Sequence, residues 1–323
     1  MIFGGVGETP SSLPDKVRGM RLSVLVVTYN RPDDLLDLFR SLRGQEELAT
    51  LLEEVLVLDN GTTVDYSEPW TFARENDELR VRVIRSEINL GVTRGRNVLM
   101  SEARGDVLLV LDDDVVLPTA RDLRGVAEVL DREFFRAANT AVVQLRVIYR
   151  ETKELQRSAF PHKRRAPDEQ FTEFLTSYFT GGAHLIKRES LAVVGMYPED
   201  FFYGMEEYDL SYRLIEAGYA IGYTPSVTLE HKESPTGRLG DHVKLRHQWV
   251  NKTVVAWRYL PRRYALTTAV MWSVEYFRRV RGHPLTYVRA WWDVLKIPFT
   301  VRRTPIGRQS STYLKSVGAR LWY

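Results

Sequence analysis

The 323-residue chain contains no cysteine. That absence removes disulfide frameworks, thiolate zinc sites and thiol nucleophiles, and it fits a reducing compartment. The chain also lacks any apolar run approaching the ~20 residues needed to cross a bilayer. Residues 1–20 carry Gly4, Gly5, Gly7, Pro10 and Pro14 but no continuous apolar segment, so they read as a flexible lead-in and not as a signal peptide. Internal repeats and low-complexity tracts are missing as well. With 44% hydrophobic residues the chain can still bury a substantial core, in one large domain or two ordinary ones.

Acidic residues are scarce in one part only. Residues 240–323 hold 16 Lys+Arg against 3 Asp+Glu, a sum of +13, while residues 1–239 hold 29 against 39, a sum of −10. The overall +3 therefore conceals two chemically different parts, with a boundary near residues 237–240. Six of the seven tryptophans (Trp249, Trp257, Trp272, Trp291, Trp292 and Trp322) fall in the basic part.

What is present begins with alternation. Residues 22–27 form a β-rich apolar run, followed by the polar turn Thr28-Tyr29-Asn30-Arg31-Pro32. Pro32 suits a first helical turn, Asp33 and Asp34 favour a helix N-terminus, and Leu35, Leu38, Phe39 and Leu42 recur at helical spacing. A second strand is predicted at 55–58, ending in Asp59-Asn60-Gly61, and a third at 81–84, followed by Asn89-Leu90-Gly91. A helix over about 93–103 leads to a fourth strand at 107–111. Strands alternating with helices imply an α/β fold with a mostly parallel sheet, whose ligands sit beyond the carboxyl ends of the strands. Four polar strand ends converging on one crevice read as a nucleotide site.

The fourth run closes on Asp112-Asp113-Asp114. Repulsion and desolvation both oppose three adjacent carboxylates at the end of a buried strand. A divalent cation removes the objection, because hard oxygen ligands suit magnesium or manganese, bound through one or two carboxylates plus substrate phosphates.

Val26-Val27-Thr28-Tyr29-Asn30-Arg31-Pro32, Leu58-Asp59-Asn60-Gly61, Asn89-Leu90-Gly91-Val92-Thr93-Arg94-Gly95-Arg96-Asn97 and Leu111-Asp112-Asp113-Asp114 follow in an order and at intervals that resemble the family 2 glycosyltransferases of the GT-A fold. The resemblance spans about residues 21–235. It implies a Rossmann-like GT-A catalytic domain over 21–239, with a nucleotide-binding half (21–118) and an acceptor-side half (119–239), and leaves 240–323 as a basic, aromatic helical extension. It further implies an inverting transferase with Mn2+ or Mg2+ as cofactor, a UDP-, dTDP- or GDP-sugar as donor, and a saccharide or lipid-linked acceptor.

The same resemblance distributes roles. Asp112 and Asp113 stand in the DxD-type element on the donor side, with Asp112 facing the ribose or the metal and Asp114 the more direct metal ligand. Asp59 is implied to meet the base edge, Thr28, Tyr29 and Asn30 to enclose the nucleoside, and Gly91 to lie in the donor loop. Arg31, Arg94 and Arg96 are candidate contacts to base or phosphate. Glu206-Glu207-Tyr208-Asp209-Leu210, with Arg213 following, resembles the family's ED-x-DL-x-x-R signature, with Glu207 where aspartate usually stands. An inverting transfer needs one general base for the acceptor hydroxyl. Glu207 is that candidate, with Glu206 beside it as the alternative. Asp209 and Arg213, four apart on a predicted helix, suit an ion pair. His231 follows a predicted strand at 223–230 and stands where the family often places a metal-ligating histidine. Gly181, Gly182 and His184 are implied to lie on the acceptor side, where small residues let a sugar approach the backbone; a tight turn before Leu185 is the other reading. The loop over 233–241 is expected to fold over the donor.

The basic part has two compatible readings, a helical subdomain packed on the acidic half and a surface for an anionic membrane. An oligomer interface is a third. No nucleic-acid motif accompanies the charge, so no nucleic acid is expected as partner. The expected location is cytoplasmic and peripheral on the inner face of the membrane. Two other functions fit the same residues: a nucleotidyltransferase on a related fold, and a non-catalytic nucleotide-sugar-binding subunit.

Overall fold

The first four apolar runs become four parallel strands of one sheet: β1 (Leu22–Thr28), β2 (Leu52–Asn60), β3 (Val81–Ser86) and β4 (Val107–Asp112). Between them run α1 (Pro32–Arg43), α2 (Leu48–Leu51), α3 (Ser67–Glu75) and α4 (Gly91–Glu102). As the sequence predicts, α1 starts on Pro32 with Asp33 and Asp34 in its first turn. The computed structural model describes residues 19–162, 165, 167–233, 240–280 and 282–321. Residues 1–18 of the lead-in, residues 234–239 of the loop after His231, and Trp322 lie outside the described residues.

The second half completes the sheet in a way the sequence reading does not anticipate. It contributes β5 (Val115–Val116), α5 (Asp122–Val129), α6 (Glu133–Ala137), β6 (Thr140–Tyr149), β7 (Phe174–Thr176), β8 (Ala183–Lys187), α7 (Arg188–Val194), α8 (Glu206–Glu216) and β9 (Ala220–His231). The order across the sheet is β3-β2-β1-β4-β8-β6-β9-β5, with β7 paired to β9. Antiparallel β8 is inserted between β4 and β6, while β9 runs parallel to β6. The β6–β9 register breaks between Leu145 and Arg146, skipping Pro225 to Val227, as expected where a proline cannot donate to the ladder.

Both faces of the sheet are covered, and successive side chains go to opposite sides. Val24, Val26, Leu109 and Leu111 face a core shared with α1 and α5. Leu25, Leu108 and Val110 face the other core, shared with α4 and α8. The C-terminal helices α9 (Asp241–Tyr259), α10 (Arg262–Arg279), α11 (Pro284–Thr300) and α12 (Arg308–Ser316) pack into that second core. Trp249, fully buried, is their centre: its ring meets Tyr276, Tyr287 and Trp291, and its Nε1 donates to the Ala269 carbonyl at 3.0 Å. Arg258 of α9 pairs with Asp209 of α8, which also holds Arg213 at 2.9 Å and accepts from the Tyr259 hydroxyl at 3.0 Å. The basic helices are thus fastened to the acidic half.

Candidate active site

In the β1–β4 register Val27 lies opposite Asp112, which brings Thr28 to the aspartate triplet. A chain of hydrogen bonds fills the space between them. The Arg31 backbone N–H donates to the Tyr66 hydroxyl (2.7 Å), which meets Thr28 Oγ1 (2.7 Å), and Thr28 donates to Asp113 Oδ2 (2.8 Å). Arg31 Nη1 reaches Asp113 Oδ1 at 2.9 Å and Asp114 Oδ2 at 3.2 Å. Asp113 is buried, and burial pushes its carboxyl up to about 7 against the opposing pull of Arg31. Arg31 and Asp113, implied by the resemblance to face the donor, are here engaged with each other inside the wall.

The neighbouring loops are tied in the same manner. Asn30, in the left-handed region at φ 57°, accepts from the Thr63 N–H at 2.9 Å, and Asp59 accepts from the Thr62 N–H at 3.1 Å. Asn60 accepts from the Leu90 N–H at 2.9 Å, so the loop carrying Gly91 is bound to the end of β2. Gly91 has φ 78°, and a Cβ there would lie 2.7 Å from the Phe202 carbonyl oxygen. Tyr29 is half-buried beside these loops.

Arg96 joins the two halves. It sits inside α4, 4% exposed, and its Nη2 donates to Asp112 Oδ1 at 2.9 Å. Its Nη1 lies 3.5 Å from Glu207 Oε1 and 3.7 Å from Glu206 Oε1. Arg94 is exposed, donates to the Glu199 carbonyl at 3.0 Å and does not join this group. Both glutamates lie in the first turn of α8, where the helix N-terminus favours anions. Burial dominates all the same and pushes both carboxyls up, Glu207 to about 8 with Glu206 as the next cause. One guanidinium faces three acids, and Glu206 Oε2 is buried with no hydrogen-bond partner in the described structure. Burial and mutual repulsion both favour the protonated form of such a pair.

Gly181 and Gly182 line the cleft, and the close approach there comes from the protein itself. A Cβ at 181 would lie 2.5 Å from Glu207 Oε1, and one at 182 would lie 2.7 Å from Asp112 Oδ2. The glycine pair is the gap into which the acids fit. His184 is fully buried in β8, with Nε2 3.0 Å from the Tyr197 hydroxyl. Burial and Arg96 hold its pKa well below the ordinary value, so it is neutral and lies behind the wall, not at the cleft surface.

His231 arrives through backbone pairing. The two-residue β5 places Val115 opposite His231, which sets the imidazole beside Asp114 with Nε2 3.0 Å from Oδ1. Its Nδ1 faces Gln156 Oε1 at 2.9 Å. An Nδ1–H donated to Gln156 leaves the Nε2 lone pair aimed at the carboxylate, the arrangement in which an outer partner orients a metal-ligating histidine. Asp112, its side chain 41% exposed, adds an oxygen on the cleft. Among the described residues no three acidic or histidine side chains form a ready cation cage. A divalent ion at Asp114 and His231 would therefore need further ligands from outside these side chains, as substrate phosphates can supply.

Part of this group lines a cavity of about 670 Å³, within the range of small-ligand sites, while Asp113 and Asp114 are buried outside its lining. Arg96, Asp112, Glu206, Glu207 and His231 lie on its wall; Tyr29, Asn30 and Asp59 are half-buried outside that lining, and Thr28 and Gly91, expected at the donor, are buried. Sequence reasoning does not single out Tyr66, Gln156, Lys252 or the stacked pair Tyr178–Tyr208, whose rings lie 4.3 Å apart with the Lys252 ammonium 3.6 Å over Tyr208. Local signals exist only for the stacked pair: residues 171–179 hold Phe171, Phe174, Tyr178 and Phe179, and Tyr208 lies within the Glu206–Leu210 motif.

Residues 23–195 match the family model described as glycosyl transferase family 2. An uncharacterised protein of Haemophilus influenzae is 26% identical over 179 residues, which are 55% of this chain and 92% of that protein. An N-acetylglucosaminyl-diphospho-decaprenol L-rhamnosyltransferase of Mycobacterium tuberculosis is 31% identical over 115 residues, 34% of this chain and 36% of the relative. A mannosyltransferase of Pyrobaculum calidifontis, solved in complex with GDP-Man and Mn2+, superposes with a TM-score of 0.55 at 17% identity, covering 95% of this chain and 87% of that one.

Proposed function

The chain belongs to glycosyl transferase family 2 and has the GT-A fold, and from that premise we propose an inverting transfer of a sugar from a nucleoside-diphosphate donor to an acceptor hydroxyl. The observation that carries this reading is Arg96, which ties the aspartate side of the cleft to the glutamate side within one cavity. Glu207 takes the acceptor proton as the hydroxyl oxygen attacks the anomeric carbon, and the bond to the diphosphate breaks on the opposite face. No covalent sugar–enzyme adduct forms. Arg96 keeps Glu207 and Asp112 in register, and burial keeps the base weakly acidic, which suits proton transfer near neutral pH.

Asp114 and His231, with Asp112 at the cleft surface, would hold Mn2+ or Mg2+. When bound, the ion neutralises charge on the leaving diphosphate. Tyr29, Asn30 and Asp59 would supply the edge against which the nucleoside of a UDP-, dTDP- or GDP-sugar rests, with Thr28 and Gly91 buried behind it as supports. The acceptor is a saccharide or a lipid-linked saccharide.

The test is turnover of a donor panel with the product identified. Release of nucleoside diphosphate, with kcat lowered roughly 10²–10⁴-fold in Glu207→Gln, supports the reading. Release of pyrophosphate would identify a nucleotidyltransferase, and donor binding without turnover a binding subunit; either result overturns it.

A further inference from the structure

Ten of the 17 large hydrophobic side chains exposed among the described residues belong to α10 and α11. They are ordered along the helices. On α10, Leu266, Val270, Val274 and Phe277 recur at i, i+4, i+8 and i+11, a stripe within an arc of about 80° at ~100° per residue. On α11, Leu285, Val288, Trp292, Leu295 and Phe299 recur at i, i+3, i+7, i+10 and i+14, and Phe299 is 89% exposed. Both helices turn their opposite sides to Trp249 of α9, through Tyr276 on α10 and Tyr287 and Trp291 on α11, so the two stripes face outward. Phe277 meets Tyr287 at 6.0 Å between ring centroids, where the two helices adjoin.

The borders of this surface are basic. Arg263 and Arg278 flank the α10 stripe, Arg289 and Lys296 flank that of α11, and all four are exposed. The Lys296 ammonium lies 4.8 Å over the Trp292 ring. The two acidic residues of these helices, Glu275 and Asp293, are neutralised by Arg279 and Arg246. Among the described residues no helix is long and apolar enough to cross a membrane. Apolar stripes bordered by Arg and Lys on helices that do not span are the composition of an in-plane interfacial surface.

We propose that the outward face of α10 and α11 docks on an anionic lipid bilayer, with the stripes in the headgroup–acyl boundary and the basic borders on lipid phosphates. Charge selects this occupant over a second copy of the chain, since a two-fold interface through this face would set basic border against basic border. The same α10 contributes Trp272, Glu275 and Arg279 to the cleft wall. Docking therefore holds the cleft beside the bilayer, and the acceptor is one carried on a membrane lipid; this consequence alone rests on the transferase reading.

The experiment is co-sedimentation of the full-length protein with vesicles of phosphatidylcholine alone, or of equal parts phosphatidylcholine and phosphatidylglycerol, at low and high salt. The expected result is binding to the anionic vesicles that weakens with salt and falls at least about tenfold in the triple variant Phe277→Ser, Trp292→Ser, Phe299→Ser, whose melting temperature and cleft remain those of the wild type. Glu207→Gln should bind vesicles as the wild type does, which separates docking from chemistry. Equal sedimentation with and without phosphatidylglycerol overturns the proposal. So does a solution dimer that the triple variant splits into monomers.

Discussion

Two acidic clusters stand at the cleft, one behind its wall and one on it, and they are held differently. Asp113 and Asp114 receive the Thr28 hydroxyl and the Arg31 guanidinium, and Asp114 also meets His231. Glu206 and Glu207 share a single cation, Arg96, which Asp112 also claims, and one of their buried oxygens lacks a partner in the described structure. The first cluster is compensated and fixes the wall. The second sets three acids on one guanidinium; burial raises carboxyl pKa values in both clusters, and in the second Glu206 and Glu207 also repel each other.

The variant that breaks this contrast most severely is Arg96→Met. Removing the one cation these acids meet among the described residues leaves Glu206 and Glu207 uncompensated in a buried place beside the half-exposed Asp112, at a cost of roughly 3–5 kcal/mol; chemical denaturation should show the loss, and it should shrink in Arg96→Met/Glu207→Gln. Thr28→Val attacks the compensated side, leaving Asp113 and Tyr66 short of a buried partner, for about 1–3 kcal/mol by the same measurement. If Thr28→Val cost as much as Arg96→Met, the two clusters would not differ as described. Gly182→Ala should act more gently, since its Cβ would lie 2.7 Å from Asp112 Oδ2 and that half-exposed carboxylate can rotate. Weaker donor affinity with nearly unchanged melting is expected, read by nucleotide titration.

The smallest effect is one of pH, and its sign is fixed. Glu207 is raised above the unfolded carboxylate range, so its contribution to stability is full at acid pH and is lost as pH rises toward about 8. Activity dependent on the ionised base should climb over the same interval. Opposed slopes of stability and rate, both flattened in Glu207→Gln, are the signature to measure.

Much of the first half was legible from local pattern. The runs at 22–27, 55–58 and 107–111 lie within β1, β2 and β4 because strands covered on both faces are near-continuously apolar and end abruptly in polar turns, whereas 81–84 lies in the half-exposed edge strand β3. Asp209 and Arg213 do pair on one helix. By contrast, no turn signal or motif delimits β6, although residues 140–149 hold three Val and one Ile, and nothing local announces that β8 enters antiparallel between β4 and β6. Pairing partners far apart in sequence decide that order. The direction of side chains was equally hidden. Asp112 and Asp113 are neighbours in one motif, yet one opens on the cleft and the other is locked behind it. The aromatic tail suggested either a packed subdomain or an exposed surface; its helices have a buried side on Trp249 and an apolar side facing out, a division visible only once their packing partners are known.

The central claim is that Glu207 is the proton acceptor and that Glu206, which shares its guanidinium, is not. The most direct measurement is the pH dependence of kcat for nucleoside diphosphate release in the wild type, Glu206→Gln and Glu207→Gln, with the best donor of the UDP-, dTDP- and GDP-sugar panel. The account predicts a rate that rises toward about 8 in the wild type. That limb should persist, displaced downward, in Glu206→Gln, where a repelling neighbour is gone, and vanish with nearly all activity in Glu207→Gln. A Glu207→Gln enzyme that keeps the limb and turns over within a few-fold of wild type would contradict it.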